Sequence, residues 1–327
     1  MRYSDGFFLV GPYLIPIIEK LAKSHRQADD NGMIEALSHV IKQWTARALA
    51  LCVVGPVCAS IASGVIASDG SHNATFMTGH SSGFVPMLMI LGAVIVFGAI
   101  IAKLIDRREA FLNMAFTLGW VVWTGGRMGG VFRLAPESST LISLAIESAL
   151  IAIVMLVGLS LISGLDKKSN EVTRFNLGFI KQSLSSAAGG LAIGGAIIAG
   201  LLVALILGQS DLPGMAAGVG FLAGIAGGLV GTLAATSANK DSKHPTPTPY
   251  APLMIGLMLC GVLAPLLGTI KPGAGDLFNL VLRNDLPGYL IVSPLAWTMG
   301  ALLGVPVGHA WVEHSAVNAP GVAPQPS

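Results

Sequence analysis

Eight predominantly apolar stretches dominate this chain, and each is long enough to approach the ~30 Å hydrocarbon core of a bilayer as a helix rising 1.5 Å per residue. They are Ala48–Ala67, Phe84–Ala102, Ala110–Gly126, Ser138–Leu165, Ser183–Gln209, Leu212–Ala238, Tyr250–Ile270 and Leu286–Val312. Only the fourth contains a carboxylate, Glu147. With 11% charged residues and a mean hydropathy of +0.72, the chain lies outside the range of soluble domains, in which about a quarter of residues are charged. An all-α membrane fold with eight spans follows.

Charge placement sets the orientation. With the N-terminus in the cytoplasm and eight crossings, both termini are cytoplasmic. Fifteen of the nineteen Lys and Arg residues then fall on that side, leaving Arg127, Arg133, Lys271 and Arg283 outside. The third stretch is the shortest, but without it Lys167, Lys168, Arg174 and Lys181 would move to the exterior. A formal net charge of +2 speaks against a nucleic-acid partner. The expected surroundings are the lipid bilayer, with other membrane subunits or further copies of the chain as partners.

Five regions are expected. Residues 1–44 hold a short apolar run, Phe7–Ile18, too brief to span, followed by an amphipathic pattern. In that pattern Met33, Ile34, Leu37, Val40, Ile41 and Trp44 oppose Glu35, Ser38, His39 and Lys42, as in a surface helix. His39 reads as a solvated histidine. Residues 45–165 form a four-helix module, 166–182 a linker, 183–314 a glycine-rich four-helix module and 315–327 a disordered tail. The Pro-rich loop Asn239–Pro249 is expected to be extended. Cys52, Cys58 and Cys260 sit in apolar runs and read as small buried residues.

Two polar stripes are the candidate site. Asn113, Thr117, Trp120, Thr124 and Arg127 recur at helical spacing along the third span, and Thr140, Ser143 and Glu147 do so in the fourth. A carboxylate about 12 Å inside a span needs a partner or a proton. The residues Glu147, Arg127, Asn113, Thr117, Thr124 and Ser143 therefore describe either a proton or cation site or a static ion pair of Glu147 with Arg127 that fixes register. The glycines of Gly125-Gly126-Arg127-Met128-Gly129-Gly130 permit a positive-φ turn, a helix C-cap, or close approach of a ligand to the backbone. A second constellation is a small-residue face: Gly190 and Gly194 in the fifth span, with Gly220, Gly224, Gly227 and Gly231 in the sixth. Missing side chains let helices approach closely, within the chain or against a partner.

Other motifs carry less. Gly79-His80-Ser81-Ser82-Gly83 fits Gly-x-Ser-x-Gly but lies in a loop before a span, not at a strand–helix elbow. Asp69, His72 and His80 lack diagnostic metal spacing, and Asn73-Ala74-Thr75 is a sequon only in a glycosylating organism. His309 and Glu313, one turn apart beside His314, could hold a metal or proton, or simply flank Trp311 at the interface. No motif names a cofactor, and no catalytic constellation is present. The chain reads as a membrane subunit or scaffold, non-catalytic by itself, or alternatively as a secondary transporter or channel using Glu147.

Gly126-x-x-Gly129-Gly130-Val131-Phe132, with His80 ahead of the second span, resembles a bacterial membrane family, domain of unknown function 2231, over about Thr45–Leu134. Gly11-Pro12 and Ile15-Pro16 stand near the place of that family's His-Pro and His-Phe-Pro pair, so the resemblance transfers no haem ligand. It implies a bacterial inner-membrane setting.

Overall fold

The computed structural model describes residues 30–65, 74–78, 83–165, 178, 181, 184–210, 212, 214–238, 249–270 and 274–317. The interfacial run, the loop bearing Asp69, His72, Asn73 and His80, most of the linker 166–182, the Pro-rich loop and the end of the tail lie outside them. The described residues contain helices and no strands. In chain order the helices are α1 (Asp30–Leu49), a π-helical turn (Ala50–Val54), α2 (Gly55–Ser63), α3 (Phe84–Leu104), α4 (Arg107–Thr124), α5 (Met128–Leu134), α6 (Ser138–Leu165), α7 (Ala187–Leu207), α8 (Met215–Ala238), α9 (Tyr250–Ile270), α10 (Ala274–Arg283), α11 (Gly288–Ile291) and α12 (Pro294–Val317).

Among the described residues, seven helical segments have the length and hydropathy to cross a membrane: Ala36–Ser63, α3, α6, α7, α8, α9 and Pro294–Glu313 of α12. The amphipathic helix and the first span are thus one continuous helix, joined through the π turn. In its N-terminal part Leu37, Val40, Ile41 and Trp44 are all exposed, which suits a face laid against lipid. Within the span, Cys58 is buried as expected but Cys52 is exposed, on the outward side of the π turn.

α4 is not among the seven, and composition explains why. It opens with Arg107, Arg108 and Glu109 and carries Asn113 and Thr117 inward, so its mean hydropathy is low. Its start is fixed by Asp106, whose carboxylate accepts the Glu109 amide at 2.8 Å as an N-cap. Helices α2, α3 and α12 pack around it, so its polar groups meet protein instead of lipid. Arg47 and Glu109 form a two-pronged ion pair at 2.5 and 3.1 Å, and Arg107 donates to the Ser163 carbonyl.

Residues Arg47–Ser327 make one compact unit. The two expected groups of four spans pack directly on each other, α6 along α9 and α4 along α12. The closest packing joins α8 to α12 and to α7, and glycine permits it. A Cβ on Gly220 or Gly224 would collide with the carbonyl of Ala296 or Gly300 in α12. Gly227 and Gly231 instead face Ala196 and Ala192 of α7. Four of the six expected glycines therefore pack within the chain. Gly190 and Gly194 do not: a Cβ there meets nothing, and their neighbours Gly189 and Gly195 turn inward instead.

Antiparallel succession gives the bundle two ends. At one lie Arg47, Arg107, Tyr250 and His309; at the other lie Ser63, Arg127, Ser138 and Pro294. The eighth expected stretch is broken at this second end into α11, a bend at Val292–Ser293, and α12. The break gives the chain room for a short layer, α5, α10 and α11, over the ends of the long helices.

Candidate functional site

The short layer builds the site. In α5, Met128 and Phe132 are four residues apart and share a face, packing into an apolar cluster with Leu141, Leu144, Leu277, Val281 and Leu290. Burying Phe132 fully contributes roughly 2–3 kcal/mol to seating this helix. With that face inward, Arg127 and Arg133 are left exposed at either end of α5. The preceding glycines use neither positive φ nor an αL cap: Gly125 is extended, and its amide closes α4 on the Val121 carbonyl at 2.9 Å. Positive φ is used instead at Gly214, φ +78°, in the turn before α8, where a Cβ would also meet the Trp123 ring.

Between these parts is a cavity of about 560 Å³, within the range typical of small-molecule sites. Its walls come from the ends of α2, α4, α8 and α12, from α5, and from the segment around Ala74 and Phe76. Its floor is apolar and buried, with Val121, Met128, Val131, Ile291 and Leu295 each less than a tenth exposed. Its exposed rim is mixed: Arg127, Arg133, Thr124 and Asn284 stand beside Leu134 and Leu212, and Ser63 and Ser210 also line it. Among the described residues, no carboxylate lines it.

Glu147 does not line this cavity but supports it. The carboxylate is 1% exposed, and its Oε1 and Oε2 accept the amides of Phe76 and Met77, each at 2.9 Å. Thr78 lies close to the same carboxylate. The segment 74–78 is thus drawn down into the helix bundle, with Thr75, Phe76 and Thr78 buried. Gly83 helps, because any Cβ there would overlap the Phe76 carbonyl. Arg127 is not a partner of Glu147. Successive backbone amides converging on one carboxylate satisfy it without a cation.

The remaining stripe residues bond back to their own helix, although Asn113 Oδ1 stays buried without a hydrogen-bond partner. Asn113 Nδ2 donates to the Glu109 carbonyl at 2.7 Å, Thr117 Oγ1 to that of Asn113 at 3.0 Å, and Thr124 Oγ1 to that of Trp120 at 2.8 Å. These bonds run back along α4, so the stripe is no chain of polar groups joining the two ends. Ser143 is half-buried one turn before Glu147. Of the six residues expected to form one site, Arg127 and Thr124 meet in the cavity, while Glu147 stands behind its wall. Ser63, Ser210 and Asn284 were not foreseen, because single hydroxyl and amide residues at helix ends carry no periodic signal.

At the other end, His309 is fully buried, with its ring edge-on to Tyr250 at 4.9 Å and Nδ1 3.6 Å from the Glu313 carboxylate. Arg108 Nη2 reaches the Tyr250 hydroxyl at 3.2 Å. Among the described residues no group of three His, Cys, Asp or Glu side chains could hold a metal ion. No family model, curated protein or solved structure matches this chain.

Proposed function

We propose that this chain is a non-catalytic membrane carrier that admits a small solute into the cavity beside Arg127. The cavity carries the reading: it is of ligand size, has an apolar floor with arginines at its rim, and its described lining comes from the Arg127 end of the bundle. A one-sided cavity is what alternating access requires of a carrier in one of its states. In this reading α4 is an eighth crossing, its polar residues shielded by α2, α3 and α12, and both termini are cytoplasmic. The bias of Lys and Arg supports that orientation, which turns the cavity outward. The resemblance noted over Thr45–Leu134 supports a bacterial inner membrane. Glu147 then acts as the anchor of the cavity wall and not as a cation site, since backbone amides already fill its oxygens.

A second reading, a structural subunit of a membrane assembly, is favoured by Gly190 and Gly194. They lie one turn apart on α7 with open space before them, where another helix could approach. Uptake of a panel of labelled organic solutes into proteoliposomes separates the two. Saturable uptake that falls when the cavity is obstructed by Val131→Trp supports the carrier. No uptake under any gradient, with stable co-purification of another membrane protein, supports the subunit.

A further inference from the structure

We infer that the cavity selects an anionic amphiphile, a molecule with a phosphate or carboxylate head and an apolar tail. This rests on the cavity being a binding site, as proposed above, and adds the chemical class of what it binds. Two observations carry it. First, the charge of the described lining is of one sign: Arg127 and Arg133 both contribute, and none of the described lining residues is acidic. Guanidinium groups present fixed forks of N–H donors that match phosphate and carboxylate oxygens, and they keep their charge at any physiological pH.

Second, the buried part of the lining is mainly apolar and the cations lie at its rim. Val121, Val131, Ile291 and Leu295 are buried, with the Ser293 hydroxyl among them, whereas both arginines are exposed beside Leu134 and Leu212. A compact inorganic anion would leave that apolar floor unfilled, and a neutral apolar solute would gain nothing from the two guanidinium groups at the rim. A molecule with its charge at one end satisfies both. Its head would stay near water between the arginines, where ion pairs need little desolvation, while its tail removes apolar floor from water.

Such a ligand could be a membrane lipid entering sideways or a dissolved amphiphile entering from the aqueous mouth. The test distinguishes them. The full chain is placed in nanodiscs of zwitterionic lipid and titrated calorimetrically with octyl phosphate, octanol and inorganic phosphate. Octyl phosphate is expected to bind at least tenfold more tightly than either control. Arg127→Gln and Arg133→Gln should each weaken it about tenfold or more, as expected for losing a charge-assisted hydrogen bond. Arg127→Lys should retain part of the affinity; because both arginines are exposed, these variants should fold as the parent does. Phospholipid released from protein purified out of native membranes, and depleted in the Arg127→Gln/Arg133→Gln double variant, identifies a lipid source. Octyl phosphate binding without any such lipid identifies a dissolved one.

Octyl phosphate binding no tighter than octanol, or equally to the double variant, overturns the inference. Saturable uptake of a neutral or cationic solute alongside that result would leave the carrier reading standing. Conversely, tight octyl phosphate binding without transport would refute the carrier and keep the anion site.

Discussion

Replacing Glu147 by alanine should release the segment 74–78 from the bundle. In the intact chain two amides, Phe76 and Met77, donate to the carboxylate at 2.9 Å in a site only 1% exposed. A hydrogen bond to a charged group contributes about 1.5–3 kcal/mol, so the pair holds the segment with roughly 3–6 kcal/mol. The freed amides recover part of this by reaching water, because the segment belongs to a loop and not to a helix interior. A net loss of about 3 kcal/mol corresponds to roughly a hundredfold rise in the opening equilibrium. Hydrogen–deuterium exchange reads this directly: the Phe76 and Met77 amides should exchange about a hundredfold faster in Glu147→Ala, while amides in α8 and α12 keep their protection. Glu147→Gln should fall between, since its carbonyl can accept one amide while its NH₂ opposes the other. Ser143→Ala, one turn away, should change little. Unchanged protection of Phe76 and Met77 in Glu147→Ala would refute the anchoring role.

Two further outcomes follow from the packing. Gly224→Val places side-chain atoms against the Gly300 carbonyl, so α8 and α12 must separate; a loss of roughly 1–3 kcal/mol or failure to assemble is expected in detergent melting curves, whereas Gly190→Ala, facing open space, should melt as the parent. Glu109→Ala leaves Arg47 without its two-pronged partner, with 9% and 26% of the two side chains exposed. Stability should fall by about 1–3 kcal/mol, and the Arg47→Ala/Glu109→Ala double variant should recover part of that loss in a double-mutant cycle.

The long apolar helices were legible because their cause is local. Ser138–Leu165 and Tyr250–Ile270 begin and end where their apolar runs do. The start of α4 moved outward to Arg107 because Asp106 caps it, a signal present in the sequence but outweighed by the charges that follow. The partner of Glu147 was not legible. Its amides come from a loop 70 and 71 residues away, and an amide donor carries no side-chain signature. On α4, Asn113 and Thr117 are buried, but Thr124 is exposed and Arg127 lies beyond the helix end, and spacing cannot say whether a hydroxyl bonds across helices or back to its own carbonyl ladder. Glycine faces were half legible for a similar reason. Where Gly189-Gly190 and Gly194-Gly195 occur as doublets, either member could turn inward; Gly189 is the buried member of the first, and Gly195 faces Gly231 across the interface in the second.

In a carrier, the cavity would be one state of a site open in turn to both sides of the membrane. Val121 on its floor, 3% exposed, is the position to probe. In a chain with Cys52, Cys58 and Cys260 replaced by serine, Val121→Cys is treated with a membrane-impermeant maleimide in sealed vesicles of each orientation. The account predicts labelling from the Arg127 side, and from the opposite side in a fraction of molecules that changes with the imposed gradient. Labelling from the Arg127 side alone, under every gradient and ligand tried, would contradict it.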